Sequence, residues 1–236
     1  MVGGMGYQCL FYKNNMNNIN FEFFGLKSPY DRFNVSDIEK NCNIENWQYP
    51  DSISIFEKFI TEKRPTLIIE LGSYLGWSAV TMATICKQYN IETKILCIDT
   101  WLGSVEHWRK DKCNSLSKYN YFSNGISTMF DSFCKNVISH NVQDYIIPLP
   151  NTTDMMFELL SHYSIKPDLI YVDASHEYKA ILRDLTSYYT LLTDGGYIFG
   201  DDVCWPDVDN ATIEFSKNIN KQLQYSPNKN LYYIEK

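Results

Sequence analysis

The chain has no apolar run long enough to cross a bilayer: stretches such as 66–71 and 197–199 fall far short of the roughly 20 residues a spanning helix needs. Its start, MVGGMGYQCLFYKNN, lacks the basic residues and long apolar region of a secretory signal, so synthesis in the cytosol and a cytoplasmic protein are expected. No Cys-x-x-Cys pair occurs among the seven cysteines at 9, 42, 86, 97, 113, 134 and 204, and Cys86 and Cys97 stand in apolar, core-like runs. Reduced structural thiols follow, rather than a disulfide or zinc framework. The sequons at Asn34, Asn151 and Asn210 carry no weight without a secretory signal. An excess of basic residues is also missing. With 21 Lys and Arg against 28 Asp and Glu, the net charge of -7 argues against a protein that grips nucleic acid by its phosphates, and leaves room only for a local basic groove.

What is present fits one packed domain: 236 residues, 44% hydrophobic and 15% aromatic, are too apolar for a disordered chain. Residues 1–50 are rich in Asn and aromatics, with NNMNNIN at 14–20, and show little periodicity. They read as an extension, either a lid over a site or a linker. From residue 51 to 236 the pattern is regular. Helical periodicity covers 52–62, 72–89, 125–139, 154–163, 177–192 and 211–221, and apolar strand runs cover 66–71, 94–98, 145–149, 168–172 and 197–199. Five apolar strands separated by helices imply an α/β fold, a mostly parallel sheet with helices on both faces. Segments 222–225 and 231–234 suit a closing hairpin.

In an open α/β sheet a ligand binds beyond the C-terminal strand ends, and polar residues stand at those ends here. The first strand runs into Glu70-Leu71-Gly72-Ser73-Tyr74-Leu75-Gly76, spaced ExGxxxG. The dinucleotide fingerprint GxGxxG is absent. Glycines permit a tight turn and close approach to the backbone, and the acid suits a cationic or hydroxyl-bearing ligand; a plain glycine turn with a solvated Glu is the alternative. Asp99 closes the second strand, where a carboxylate can accept from ribose hydroxyls, and Trp101 two residues on offers a face for a flat base. A turn or capping role for Asp99 competes with this.

Asp173 and the pair Asp201-Asp202 follow two further strands, and adjacent strands bring the three carboxylates together. They repel unless a hard divalent cation neutralises them. Oxygen ligands favour Mg2+, with Ca2+ or Mn2+ behind it, and disfavour zinc. His176, three residues after Asp173, is placed to take a proton from a hydroxyl beside such a metal, or else to cap a helix.

Together these strand ends resemble class I S-adenosylmethionine-dependent methyltransferases over about residues 50–236. The resemblance implies a Rossmann-like sandwich around a mostly parallel seven-stranded sheet. It implies that Glu70, Gly72 and Gly76 form the loop around the methionine part of the cofactor. It places Asp99 on the ribose, with Ser73, Tyr74, Thr100, Trp101, Asn151, Thr152 and Asp173 lining the same pocket. Asp173 with His176, then Asp201-Asp202, resembles the metal-dependent macrolide sugar O-methyltransferases of the mycinamicin and macrocin type. That implies magnesium on Asp173, Asp201 and Asp202, and His176 as base. Where some relatives carry a second Asp two residues after the first, this chain has Ser175.

Between 99 and 109 lies an aromatic cluster, in which His107, Trp108 and Arg109 offer stacking faces and donors for a sugar ring, or else pack a surface loop. Trp205 faces the same choice. The expected activity is methyl transfer from S-adenosylmethionine to a hydroxyl of a sugar or glycosylated small molecule, with neither membrane nor nucleic acid as partner. Self-association and a place in a larger multidomain protein stay open. An N- or nucleic-acid methyltransferase, and a non-catalytic module binding cofactor or glycan, are the competing readings.

Overall fold

The computed structural model describes residues 19–34, 36, 38, 51–108 and 122–236. Helix α1 (Ser52–Lys63) leads into β1 (Leu67–Leu71), followed by α2 (Trp77–Gln88), β2 (Lys94–Asp99) and a one-turn helix α3 (Val105–Trp108). A short hairpin, β3 (Phe122–Ser123) and β4 (Ile126–Ser127), precedes α4 (Met129–Ser139) and β5 (Ile146–Pro150). The chain continues through α5 (Thr153–His162), β6 (Leu169–Val172), α6 (Tyr178–Tyr189), β7 (Tyr197–Gly200) and α7 (Pro206–Asn218), and closes with β8 (Gln224–Tyr225) and β9 (Tyr232–Glu235).

Seven strands form one sheet in the order β5-β2-β1-β6-β7-β9-β8. Five neighbours from β5 to β7 pair in parallel, and β9 runs antiparallel to both β7 and β8. The expected Rossmann-like sandwich and closing hairpin are both there. The chain builds outward from β1 to β5, then returns to the other side of β1 with β6, so the topological switch lies between β1 and β6. That crevice is where open α/β sheets bind ligands.

Strand residues alternate between two cores. Leu67, Ile69 and Leu71 join Leu160, Leu185 and Phe215 on one face, while Ile68 joins Phe56, Met82 and Phe133 on the other. Cys97 and Tyr171 share the face of Ile68. By the same period of two, Glu70 and Asp99 belong to that side of the sheet.

Three helix starts differ by four or five residues from the sequence expectations. The helix expected from 72 starts only at Trp77, because Gly72 (φ 82°), Tyr74 (φ 45°) and Gly76 (φ 90°) hold the intervening chain in a left-handed loop. The helix expected from 125 starts at Met129: Asn124 (φ 52°) and Gly125 (φ 80°) form the two-residue turn of the β3–β4 hairpin. The helix expected from 211 starts at Pro206, whose fixed φ suits a first helical position, with Asp207 and Asp209 in the first turn. Before residue 51, Tyr30 is buried and its hydroxyl donates to the Ile146 carbonyl at 3.0 Å, and Arg32 pairs with Asp131 at 2.6 Å. Tyr30 thereby occupies an acceptor on the open edge of β5, while Arg32 ties the same segment to α4.

Candidate active site

The loop after β1 is organised by a buried acid. Glu70 is fully enclosed, and one carboxylate oxygen accepts from the Ser73 hydroxyl while the other accepts from Ser78. Burial raises its pKa to about 7 against these hydrogen bonds. The carboxylate thus braces the loop from beneath, where the sequence suggested a group turned toward a ligand. Ser78, one turn into α2, is a partner that sequence reasoning missed. Its only signal is a small hydroxyl residue among the apolar residues of that helix.

Asp99 ties this loop to the end of β2. Its Oδ2 accepts from the backbone N–H of Ser73 at 3.0 Å and Tyr74 at 2.8 Å, and its Oδ1 from Trp101 N–H at 2.7 Å. Burial raises the carboxyl pKa while the backbone donors lower it. Thr100 stays half-buried beside it. Next door, at the end of β5, Asn151 N–H donates to the Asp99 carbonyl at 3.0 Å, and Thr152 caps α5. Both are exposed on the rim of the crevice.

Trp101 takes a different place from the one expected. It is 1% exposed, its indole N–H donates to the Tyr74 carbonyl at 2.8 Å, and Phe130 and Phe133 pack on it at 4.8 and 5.0 Å between centroids. No face is left for a base to stack on. A tryptophan two residues past a strand can point outward or fold back, and here the left-handed backbone (φ 51°) folds it back. Trp108 is 64% exposed, with its indole N–H on the Leu102 carbonyl at 3.0 Å and its ring against Phe122. Arg109 and the His107 side chain lie outside the described residues.

Across the switch point, Asp173, His176 and Asp202 converge: one donor atom from each lies within 4.8 Å of the others. His176 Nε2 is 2.7 Å from Asp202 Oδ2. Burial, then the charges of Asp201 and Asp202, push the Asp173 carboxyl well above the usual range. Asp201 does not join this group. It is 7% exposed, and burial followed by the Asp202 charge raises it to about 7. Asp201 also acts on Tyr171, whose enclosed hydroxyl is pushed up first by burial and then by Asp201 and Asp173. Tyr171 is a second residue that sequence reasoning missed, since an inward tyrosine within a strand reads as core. Asp202, with φ 58°, reverses the chain after β7, and Trp205 lies flat on His176 at 4.9 Å and 11°. Tyr74, Trp101 and Asp202, three non-glycine residues with positive φ, all sit at the C-terminal ends of strands around one crevice.

A family model described as "Methyltransferase domain" matches residues 69–203, more than half of the chain. The chain belongs to this methyltransferase family. No curated protein matches it in sequence. Solved structures share the methyltransferase fold. The O-methyltransferase NovP has a TM-score of 0.59 at 15% identity, over 79% of this chain and 78% of that one. An O-methyltransferase from Bacillus cereus, solved in complex with SAH, scores 0.57 at 11% identity over 96% and 97%. CalS11, described as a calicheamicin methyltransferase, scores 0.57 at 15% identity over 92% and 97%. At these identities the likeness is one of fold.

The matched stretch of this methyltransferase runs from β1 to the turn after β7, so it contains every residue of the Asp173, His176 and Asp202 group. Among the described residues no helix is long and apolar enough to cross a membrane. Cys86, Cys97 and Cys134 are buried thiols, and burial pushes Cys86 and Cys134 up to about 12.

Proposed function

We propose that this methyltransferase uses S-adenosylmethionine, works in the cytoplasm, and methylates a hydroxyl of a sugar or glycosylated small molecule, with a divalent cation, Mg2+ first, and His176 as base. One observation carries the reading. At a single switch point, a loop locked by Glu70 and Asp99 faces a cluster of two carboxylates and an imidazole. Structural neighbours described as O-methyltransferases, one of them solved with SAH, support it.

The cofactor supplies, when bound, a methyl group made electrophilic by a positive sulfonium. Gly72, Ser73, Tyr74, Asp99, Thr100, Asn151 and Thr152 form the walls that would hold it, with Glu70, Gly76 and Trp101 shaping the loops behind them. The cation, when bound, lowers the pKa of an acceptor hydroxyl. Asp173 and Asp202 are the residues to hold it, and their fit rests on convergence within 4.8 Å and on the burial of Asp173 beside the carboxyls of Asp201 and Asp202. Asp201, buried beside them, adds a third carboxyl to the cluster. His176 takes the hydroxyl proton, and the crevice aligns the oxygen with the methyl group, which is most of what a displacement at carbon requires. Trp108 and Trp205, both exposed, are the aromatic faces offered to the acceptor, with His107 and Arg109 as further candidates from the sequence. Residues 51–236 carry the cofactor unit, and 1–50 form an extension to it.

The test is methyl transfer to a panel of sugar acceptors with Mg2+ or EDTA. Asp173→Asn or Asp202→Asn abolishes metal-dependent turnover and leaves SAH binding within about threefold, a difference of roughly 0.6 kcal/mol. Turnover equal to the native protein overturns the metal assignment. His176→Ala lowers turnover more than acceptor binding; equal losses assign it a structural role.

A further inference from the structure

His176 is gripped from two directions by one short turn. Its Nε2 lies 2.7 Å from Asp202 Oδ2, and its ring lies on the Trp205 indole with centroids 4.9 Å apart and planes 11° from parallel. The first contact fixes the direction in which the imidazole points, and the second fixes the plane in which it lies. Neither contact does both.

The two holders are parts of one device. Trp205 N–H donates to the Asp202 carbonyl at 2.8 Å, closing a turn that the left-handed Asp202 (φ 58°) makes tight. Immediately beyond, Pro206 opens α7, and Val208 anchors that helix in the core. Carboxylate and indole are therefore presented to the imidazole from a rigid bracket rather than from a loose loop. Trp205 remains 41% exposed, so burial does not by itself account for a large aromatic at this position. The face it does cover is the one turned to His176.

Orientation matters to an imidazole more than to most side chains. A half-turn about the bond joining ring to chain exchanges Nδ1 with Cδ2, replacing a group that handles protons by one that does not. We propose that Trp205 is a positioning residue: its indole sets the plane of His176 while Asp202 sets the direction, so the imidazole has one orientation beside Asp173. This goes beyond an acceptor-contact role for Trp205, and it rests on the reading of His176 as base.

The test uses the full chain with SAH and Mg2+ and follows the ring signals of its four histidines by 15N nuclear magnetic resonance. His176→Gln identifies the His176 signals. Trp205→Phe keeps an aromatic face and Trp205→Leu removes it, with Trp205→Met replacing the leucine variant should that fail to fold. Expected are the native tautomer pattern and linewidths of His176 in the phenylalanine variant, and exchange-broadened or tautomer-averaged signals in the leucine variant; a small displacement with pattern and linewidth unchanged is the lost indole ring current alone and overturns the proposal. SAH affinity in both stays within about twofold, roughly 0.4 kcal/mol. Native His176 signals in the leucine variant overturn the proposal, and so does equal disturbance in the phenylalanine variant. Failure of the native protein to bind SAH overturns the cofactor reading instead, and the ring signals still judge the stack.

Discussion

Gly72 and Asp173 approach so closely that no side chain fits between them: a Cβ at Gly72 comes within 2.1 Å of the Asp173 carbonyl oxygen and 2.5 Å of the Ala174 Cα. The contact joins the end of β1 to the end of β6, and so joins the loop after β1 to the cluster of Asp173, His176 and Asp202. The sequence suggested that the glycine makes room for a ligand; the room is used by the neighbouring strand end.

Gly72→Ala tests this contact. With φ at 82° and backbone atoms in the way, the alanine must push the two strand ends apart. Strain at such a site is on the order of 1–3 kcal/mol before any loss of packing. Denaturant unfolding is expected to show a loss of about 2 kcal/mol or more, with SAH affinity falling alongside. Gly195→Ala shares a positive φ but meets nothing within 4 Å, so it is expected to lose clearly less. Equal losses contradict the role given to the close approach.

Asp99 holds three backbone donors from two loops. Asp99→Ala leaves those donors unsatisfied and loosens the loops after β1 and β2, while Asp99→Asn keeps one acceptor oxygen. Calorimetry with SAH is expected to rank native above asparagine above alanine, with at least about a tenfold fall for alanine, roughly 1.4 kcal/mol. Native affinity in the alanine variant contradicts the assignment.

Stability falls as pH rises from about 5 toward 7. Burial raises Glu70 to about 7 from its ordinary 4.5, so the folded state holds this proton where the unfolded chain has released it. The contribution is full below the unfolded value and is lost as pH climbs through the folded one. One such proton gives a slope of about 1.4 kcal/mol per pH unit within that window. Asp201, also raised to about 7, adds to the trend. Unfolding midpoints between pH 5 and 7 are expected to decline, and to decline less steeply in Glu70→Gln. Identical slopes contradict the enclosed, protonated Glu70.

Repulsion within the acidic cluster gives a metal signature that needs no acceptor. Mg2+ or Mn2+ at about a hundred times its dissociation constant adds roughly 2.7 kcal/mol to the folded state. The melting temperature is expected to rise with metal in the native protein and to stay flat in Asp202→Asn. In EDTA, Asp173→Asn is expected to melt above the native protein, because it removes a carboxyl whose ionisation burial, Asp201 and Asp202 all disfavour. A native melting temperature indifferent to metal contradicts the cation site.

Much of this fold was legible because apolar runs buried on both faces have few alternatives. Strand β2 lies at 94–99 as its run ends in Asp99, and β6 and β7 place Asp173 and Asp202 on neighbouring strand ends. The hairpin at Asn124-Gly125 was missed although that dipeptide favours a two-residue turn, because its strands are only two residues long and merge with the helix that follows. The direction of side chains beyond the strand ends was not legible. Trp101 turned inward, Glu70 found Ser78 through the shape of a left-handed loop, and the left-handed Asp202, not Asp201, met His176. Each depends on a φ sign that residue type alone does not set.

The most direct measurement is a calorimetric titration of SAH into the purified protein, first with Mg2+ and then with EDTA. Micromolar binding in both, on the order of -8 kcal/mol, is the predicted result, with the cofactor pocket standing independently of the cation. Absence of binding in both contradicts an S-adenosylmethionine-dependent enzyme.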